Sequence, residues 1–199
     1  MPRRSATQVA GSRAATLDRA VRVASRSGLE GLTIGRLAGD LGMSKSGLIG
    51  RFGNKEELQL ATLGRAVDVF TREVWLSAEQ QPSGRARLLA LCDAWLDLFR
   101  REVFPGGCFL TTASVEFDGR PGPVRDAIAA TMRRWLALLE RELQVAADAG
   151  EIAPDVDPAD AAFELNALAS GASTAFQLHG DPKALGRARR AMHRVLTAP

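Results

Sequence analysis

The chain has 199 residues, 26 Lys and Arg against 23 Asp and Glu, and a formal net charge of +3; 46% of it is hydrophobic, enough for a packed core and too much for a disordered chain. No apolar run approaches the ~20 residues of a membrane span, and Arg3 and Arg4 have no apolar stretch behind them as a secretory signal needs. Cys92 and Cys108 are too few, and too apolar in context, for a disulfide framework or a zinc site, so no metal or cofactor is expected and the expected compartment is the reducing cytoplasm.

Residues 1–11 are small, polar and basic and read as a flexible arm; Arg3, Arg4 and Arg13 are candidates for phosphate contact, with a solvated tail as the alternative. A first helix is expected over 12–27, with Leu17, Ala20, Val21 and Ala24 inward and Gly28 just past its end. Ile34, Leu37, Ala38 and Leu41 recur at i, i+3, i+4 and i+7, which marks one face of a short helix capped by Thr33. Gly42 then breaks the pattern, and Ser44 is a natural N-cap for a second short helix over 45–52. Leu48 and Phe52 turn its one face inward. Lys45, Ser46, Gly47, Ile49 and Arg51 are left to face outward. Two short helices joined by a tight glycine turn make a helix-turn-helix, whose second helix fits the DNA major groove. Gly35, Gly39, Gly47 and Gly50 fall inside these two helices and each costs ~0.5–1 kcal/mol relative to Ala. A headpiece that is loose without DNA is the expectation.

Asn54 and Glu57 form a capping pair that opens a long helix over 55–77, with Leu58, Ala61, Ala66, Val67, Phe70 and Val74 on its packing face. After a linker over 80–84, a helix over 83–102 turns Leu88, Leu91, Cys92, Trp95 and Phe99 inward. Pro105–Gly106–Gly107 interrupts, a short apolar helix spans 108–117, and Pro123 opens a helix that runs to 149. Asp157–Pro158 and Asp181–Pro182 each pair an N-cap carboxylate with a first-turn proline, opening helices over 158–179 and 182–197. The expectation is an all-α chain of about nine helices.

Charge is unevenly placed. Residues 1–65 carry 11 Lys and Arg against 5 Asp and Glu, a net of +6; residues 66–199 carry 15 against 18, a net of −3. A basic excess on the segment with the helix-turn-helix is the footprint of phosphate binding. Ser44, Lys45, Ser46 and Gly47 stand at the start of the second helix, the part that meets base edges, while Thr33, Arg36, Ile49, Arg51 and Lys55 are placed for backbone contact. For each, a solvated helix surface is the plain alternative.

The ordered run SGLEGLTI (Ser27 to Ile34), TIGRLAGDLGMSKSGLIGRFGNK (Thr33 to Lys55) and FGNKEEL (Phe52 to Leu58) resembles the DNA-binding domain of the TetR family of bacterial transcriptional regulators. The resemblance covers about Leu17 to Phe70. It implies an all-helical homodimer, with an arm and helix-turn-helix DNA-binding domain over 1–54 and a ligand-binding and dimerisation domain over 55–199. The family commonly has an aromatic residue, often Tyr, where this chain has Ile49, and often His where it has Arg51. This chain has no Tyr at all, so that phosphate hydrogen bond is lost.

Under this resemblance Trp95, Phe99, Phe104, Phe109, Trp135 and Phe163 become candidates to line an effector cavity, with Thr112, Glu116 and Asn166 as its polar groups. A solid core is the alternative. An apolar lining implies a lipophilic or aromatic effector. The small residues Ala167, Ser170, Gly171 and Thr174, with Arg187, Arg190 and Arg194 on the last helix, are candidates for a four-helix dimer seam. The function implied is a ligand-responsive repressor that binds a palindromic operator and is released by a small molecule. A DNA-binding protein without such a ligand, either activator or architectural, is the alternative. A small helical enzyme is the remote one: only His179 and His193 are present, and no nucleotide or metal motif appears.

Overall fold

The computed structural model describes residues 6–197, with side chains from residue 13 onward; the expectations for Arg3 and Arg4 lie outside the described residues. Nine helices and no strand are found among them: α1 (Ala6–Ser27), α2 (Ile34–Leu41), α3 (Lys45–Phe52), α4 (Lys55–Phe70), α5 (Arg85–Arg100), α6 (Phe109–Phe117), α7 (Pro123–Asp148), α8 (Pro158–Leu178) and α9 (Ala184–Val195). α4 does not stop at Phe70. It widens into a π-helical stretch, Thr71–Trp75, and closes with a last turn, Leu76–Ala78.

The short helices start and stop where their caps dictate. Thr33 accepts the N–H of Arg36, Ser44 that of Gly47 and Asn54 that of Glu57. Gly42 ends α2 with φ 61°, a left-handed conformation that favours glycine, and so sets the sharp turn into α3. Asp157 accepts the N–H groups of Ala159 and Asp160 and Pro158 opens α8, as expected. The twin motif at Asp181–Pro182 behaves differently: the Asp181 carboxylate accepts the N–H of Lys183, and α9 starts only at Ala184. The same dipeptide makes a turn before the helix there, with the Asp181 N–H bonded back to the Ala175 carbonyl of α8 (3.2 Å). α1 also departs from expectation by beginning at Ala6, so much of the stretch read as a loose arm is helical.

Leu37, Ala38, Leu48 and Phe52 pack with Ala20, Val21 and Ala24 of α1 to form the head. The head's core is continuous with that of the larger bundle α4–α9, where Leu88, Leu91, Leu96, Phe99, Leu139 and Leu143 are buried. One charged group is part of this interior. Glu142, 2% exposed, accepts from Ser83 Oγ (2.6 Å), Gly84 N–H (3.0 Å) and Arg87 (3.0 Å). It thereby caps the start of α5 from α7. Burial alone raises its carboxyl pKa, but these three donors outweigh burial and hold it below the ordinary value.

Candidate functional site

The reading surface is the outer side of α3. Leu48 and Phe52 point inward, and Lys45, Ser46, Gly47, Ile49 and Gly50 are exposed. Ser44 is both the N-cap of α3 and a neighbour of Ser46, their hydroxyls 3.2 Å apart. Thr33 and Arg36, at the start of α2, are exposed on the same head. The Lys45 stem crosses α2 at Gly35, where an added Cβ would stand 3.2 Å from Lys45 Cε. A Cβ on Gly47 would stand 3.1 Å from Ser44 Oγ. Two of the four interior glycines therefore make room for neighbours, and Gly39 and Gly50 face open space.

The flanking cations are held inside the head. Arg51 is half-buried and donates to Thr16 Oγ1 (3.3 Å). Lys55 pairs with Glu30, and its hydrogen bond is the main cause that draws the Glu30 carboxyl below its ordinary value. Arg13, a candidate from sequence for phosphate contact or for a solvated tail, donates to the Arg51 carbonyl (2.8 Å) and stacks over the Phe52 ring at 4.6 Å. It closes the C-terminal end of α3, where unpaired carbonyls attract cations.

Besides the Asp18–Arg65 ion pair and the Gln59 side chain's donation to the Leu29 carbonyl, both to α4, the head is pinned to the larger bundle at one turn. Glu116 of α6 accepts the N–H groups of Leu29 (2.7 Å) and Glu30 (3.0 Å). Gly28, with φ 79°, leaves the space, since a Cβ there would lie 2.4 Å from Glu116 Oε1. Beside it Gly106 N–H donates to Ser25 Oγ (2.8 Å), and the next strut, Cys108 N–H to Ser173 Oγ (3.1 Å), reaches α8.

The expected effector group divides. Trp95, Phe99, Phe104, Phe109 and Trp135 are buried. Trp95 and Trp135 meet edge to face at 5.0 Å, and Phe70 of α4 completes a three-ring cluster. The other four expectations need correction or narrowing. Phe163 is 70% exposed on the outside of α8, because the helix turns its small face inward there. Thr112 is exposed, and Glu116 is engaged with the head. Asn166 keeps a buried Oδ1 without a partner, as Trp95 and Trp135 keep their Nε1 groups. Cys92 is inert: burial pushes its thiol up to about 12.

The expected dimer residues lie along a groove of about 530 Å³ between α8 and α9 whose walls include Ala167, Gly171, Arg187 and Arg194. Thr174 and Arg190 are exposed, and Ser170 is half-buried, 3.5 Å from Thr111. Phe163, Ala167, Gly171, Thr174 and Leu178 fall on one stripe of α8 at helical spacing. Both end residues are large and bare, Phe163 at 70% and Leu178 at 75% exposure.

Sequence comparison agrees with this architecture. Residues 17–62 match the family described as bacterial regulatory proteins, tetR family. Residues 84–192 match the tetracyclin repressor-like C-terminal domain. The chain belongs to the TetR family and is a DNA-binding transcriptional regulator. No curated protein matches it. A TetR transcriptional regulator from Chloroflexus aurantiacus J-10-FL shares its fold with a TM-score of 0.84 and 22% identity, over 92% of each chain. AibR, solved with isovaleryl coenzyme A and operator DNA, has a TM-score of 0.76 and 23% identity over 93% of this chain and 98% of its own. A transcriptional regulator from Saccharomonospora viridis, solved with choline, has a TM-score of 0.73 and 21% identity over 92% and 94%. At these identities the likeness is one of fold. Among the described residues no helix is long and apolar enough to cross a membrane, and no group of metal-binding side chains occurs.

Proposed function

We propose that the protein is a homodimeric, effector-responsive repressor that reads a palindromic operator through α3. Residues 1–54 form the DNA-binding unit, and 55–199 form the effector and dimer unit. The exposed row Lys45, Ser46, Gly47 and Ile49 carries the reading. At the start of α3, Lys and Ser are donors to guanine and other base edges, and Gly47 lets the backbone come close. Ser44, Thr33 and Arg36 frame that row and face the phosphates, Ile49 packs on sugar or a thymine methyl, and Arg51 and Lys55, engaged with Thr16 and Glu30, reach a phosphate only by giving up those partners.

The dimer follows from the bare stripe on α8. Phe163 and Leu178 flank small residues that allow close helix approach, and the adjoining groove is apolar between Arg187 and Arg194. Glu164 on the same wall supplies an opposite charge for a partner's arginine. The two relatives solved with isovaleryl coenzyme A and with choline support a small-molecule effector as a reading of this chain's larger unit. Glu116 and the Ser25–Gly106 contact supply the mechanical link from that unit to the head.

The test is sedimentation with the wild type and with Phe163→Glu. A charge in place of the large apolar residue at one end of the seam should shift the protein to monomer and lower operator affinity with the helical content unchanged. A wild type that sediments as a monomer at micromolar concentration contradicts the dimer reading.

A further inference from the structure

The outer face of α3 is nearly bare of side chains. Ser46, Ile49, Gly50 and Gly53 recur at i, i+3, i+4 and i+7, which puts them on one side of the helix, away from the inward pair Leu48 and Phe52. A Cβ added at Gly50 or Gly53 would meet nothing within 4 Å, so neither glycine makes room for a neighbour in this chain. Ser46 ends in a hydroxyl that lies 3.2 Å from Ser44 Oγ. Ile49 is the one residue of the four with a longer side chain, and it is 50% exposed. The Lys45 stem crosses α2 at Gly35, and Arg51 reaches back to Thr16 of α1, so neither cation runs along this face.

A single exposed aliphatic residue is ordinary on a protein surface. This one stands in the middle of the reading helix. The glycines and serine around it let α3 seat deeply in a major groove, and the side chain that protrudes from a deeply seated face meets the groove floor, not the sugars of its walls. Isoleucine has neither donor nor acceptor, so it gains nothing from a phosphate or from the polar atoms of a base edge. The floor offers one apolar group, the methyl on pyrimidine C5. Thymine and 5-methylcytosine carry it at the same place; uracil and cytosine lack it.

We propose that Ile49 determines operator specificity by packing on the C5-methyl group of a pyrimidine at one position in each half-site. This rests on the sequence-specific reading by α3 above and names the group that is read. Thymine supplies the methyl by sequence. 5-Methylcytosine supplies it by modification, and cytosine methylation of the operator then strengthens binding. Withdrawing one methyl from water onto Ile49 is worth about four-fold in affinity, and the two half-sites of a dimer together about sixteen-fold.

The probes are operator duplexes selected by the wild type from a random library. Each symmetric pair of pyrimidine positions is rebuilt in turn with thymine, deoxyuridine, cytosine or 5-methylcytosine, and Kd is measured by fluorescence anisotropy for the wild type, Ile49→Val and Ile49→Ala. Ile49 is exposed, so both variants should keep the wild-type thermal unfolding. At one pair of positions the wild type should bind thymine over deoxyuridine, and 5-methylcytosine over cytosine, by about sixteen-fold each. Ile49→Val should keep a smaller preference and Ile49→Ala none. Tighter binding of thymine than of 5-methylcytosine there assigns the methyl to the base sequence; the reverse assigns it to modification. A wild type indifferent to the methyl at every position overturns the proposal, and so does a preference that Ile49→Ala retains in full; the enriched motif itself would still uphold reading by α3. Selection that enriches no motif overturns that reading, and the proposal with it.

Discussion

The head and the bundle behind it are made of the same helices under opposite rules. α2 and α3 are eight residues each, and four of their sixteen residues are glycine. α7 runs for 26 residues and buries Trp135, Leu139, Glu142, Leu143 and Ala146 on one stripe. The head has a small apolar core of Leu37, Ala38, Leu48 and Phe52 against α1, and is otherwise held by caps and a few long-range hydrogen bonds, chiefly those of Glu116, Lys55 and Arg13. The bundle is held by a large apolar core and an internal carboxylate with three donors. Local stability differs across a fold, and parts that must adapt to a partner come from its weaker end. The four glycines of α2 and α3 make the end that meets DNA the expected weaker one.

Breaking the stronger side should give the largest effect. Glu142→Ala leaves Arg87 without its buried carboxylate and Ser83 and Gly84 without their acceptor, and should cost ~3–5 kcal/mol in urea unfolding. The pH dependence has a definite sign. Glu142 is held below its ordinary value in the folded state, so its contribution is complete above the unfolded value of about 4.3 and is lost as pH falls through the lowered folded value. Wild-type stability should therefore decline more steeply on acidification below about pH 4 than that of the variant.

The joint between the two regions comes next. Glu116→Ala removes two hydrogen bonds from a charged acceptor and should loosen the Gly28–Glu30 turn by ~1.5–3 kcal/mol. Amide exchange at Leu29 and Glu30 should quicken while that of α7 stays slow. Equal protection of these amides in variant and wild type would mean that Glu116 does not hold the head.

The smallest effects sharpen the picture of the head. Gly39 and Gly50 both face open space, so Gly39→Ala and Gly50→Ala should each stabilise it by ~0.5–1 kcal/mol in thermal unfolding. They should differ on DNA. Gly39 lies on α2, and its variant should bind operator as well as wild type; Gly50 lies on α3, and its variant should bind more weakly. Equal operator affinities for both would take Gly50 off the reading surface.

How much of this was legible depended on whether a signal was local. The helix-turn-helix was, because Thr33, Gly42, Ser44 and Asn54 act on neighbours within three or four residues, and all four cap as their residue types dictate. The inward pair Leu48 and Phe52 followed from helical spacing alone. What failed was long-range. Glu116 looked like a polar group for a cavity, yet its partners lie 87 and 86 residues earlier in the chain. Phe163 looked like core, since spacing says which residues share a face but not which face is covered. Arg13 looked like a loose cation, and nothing near it in sequence announced the Phe52 ring. Glu142 did leave a trace: it stands three residues after Leu139 and four before Ala146, a carboxylate on an apolar stripe. The shared Asp–Pro motif at 157 and 181 gave one helix start and one turn, and at the second the Asp181 N–H is tied to the Ala175 carbonyl, six residues back.

The most direct test of sequence-specific reading by α3 is selection. The purified protein would be equilibrated with a random duplex library at near-physiological salt and the retained fragments sequenced. A two-fold symmetric motif with half-sites about one helical turn apart is the predicted result. Retention of DNA with no enriched motif would contradict the account, because the exposed row on α3 would then be holding backbone and not reading bases.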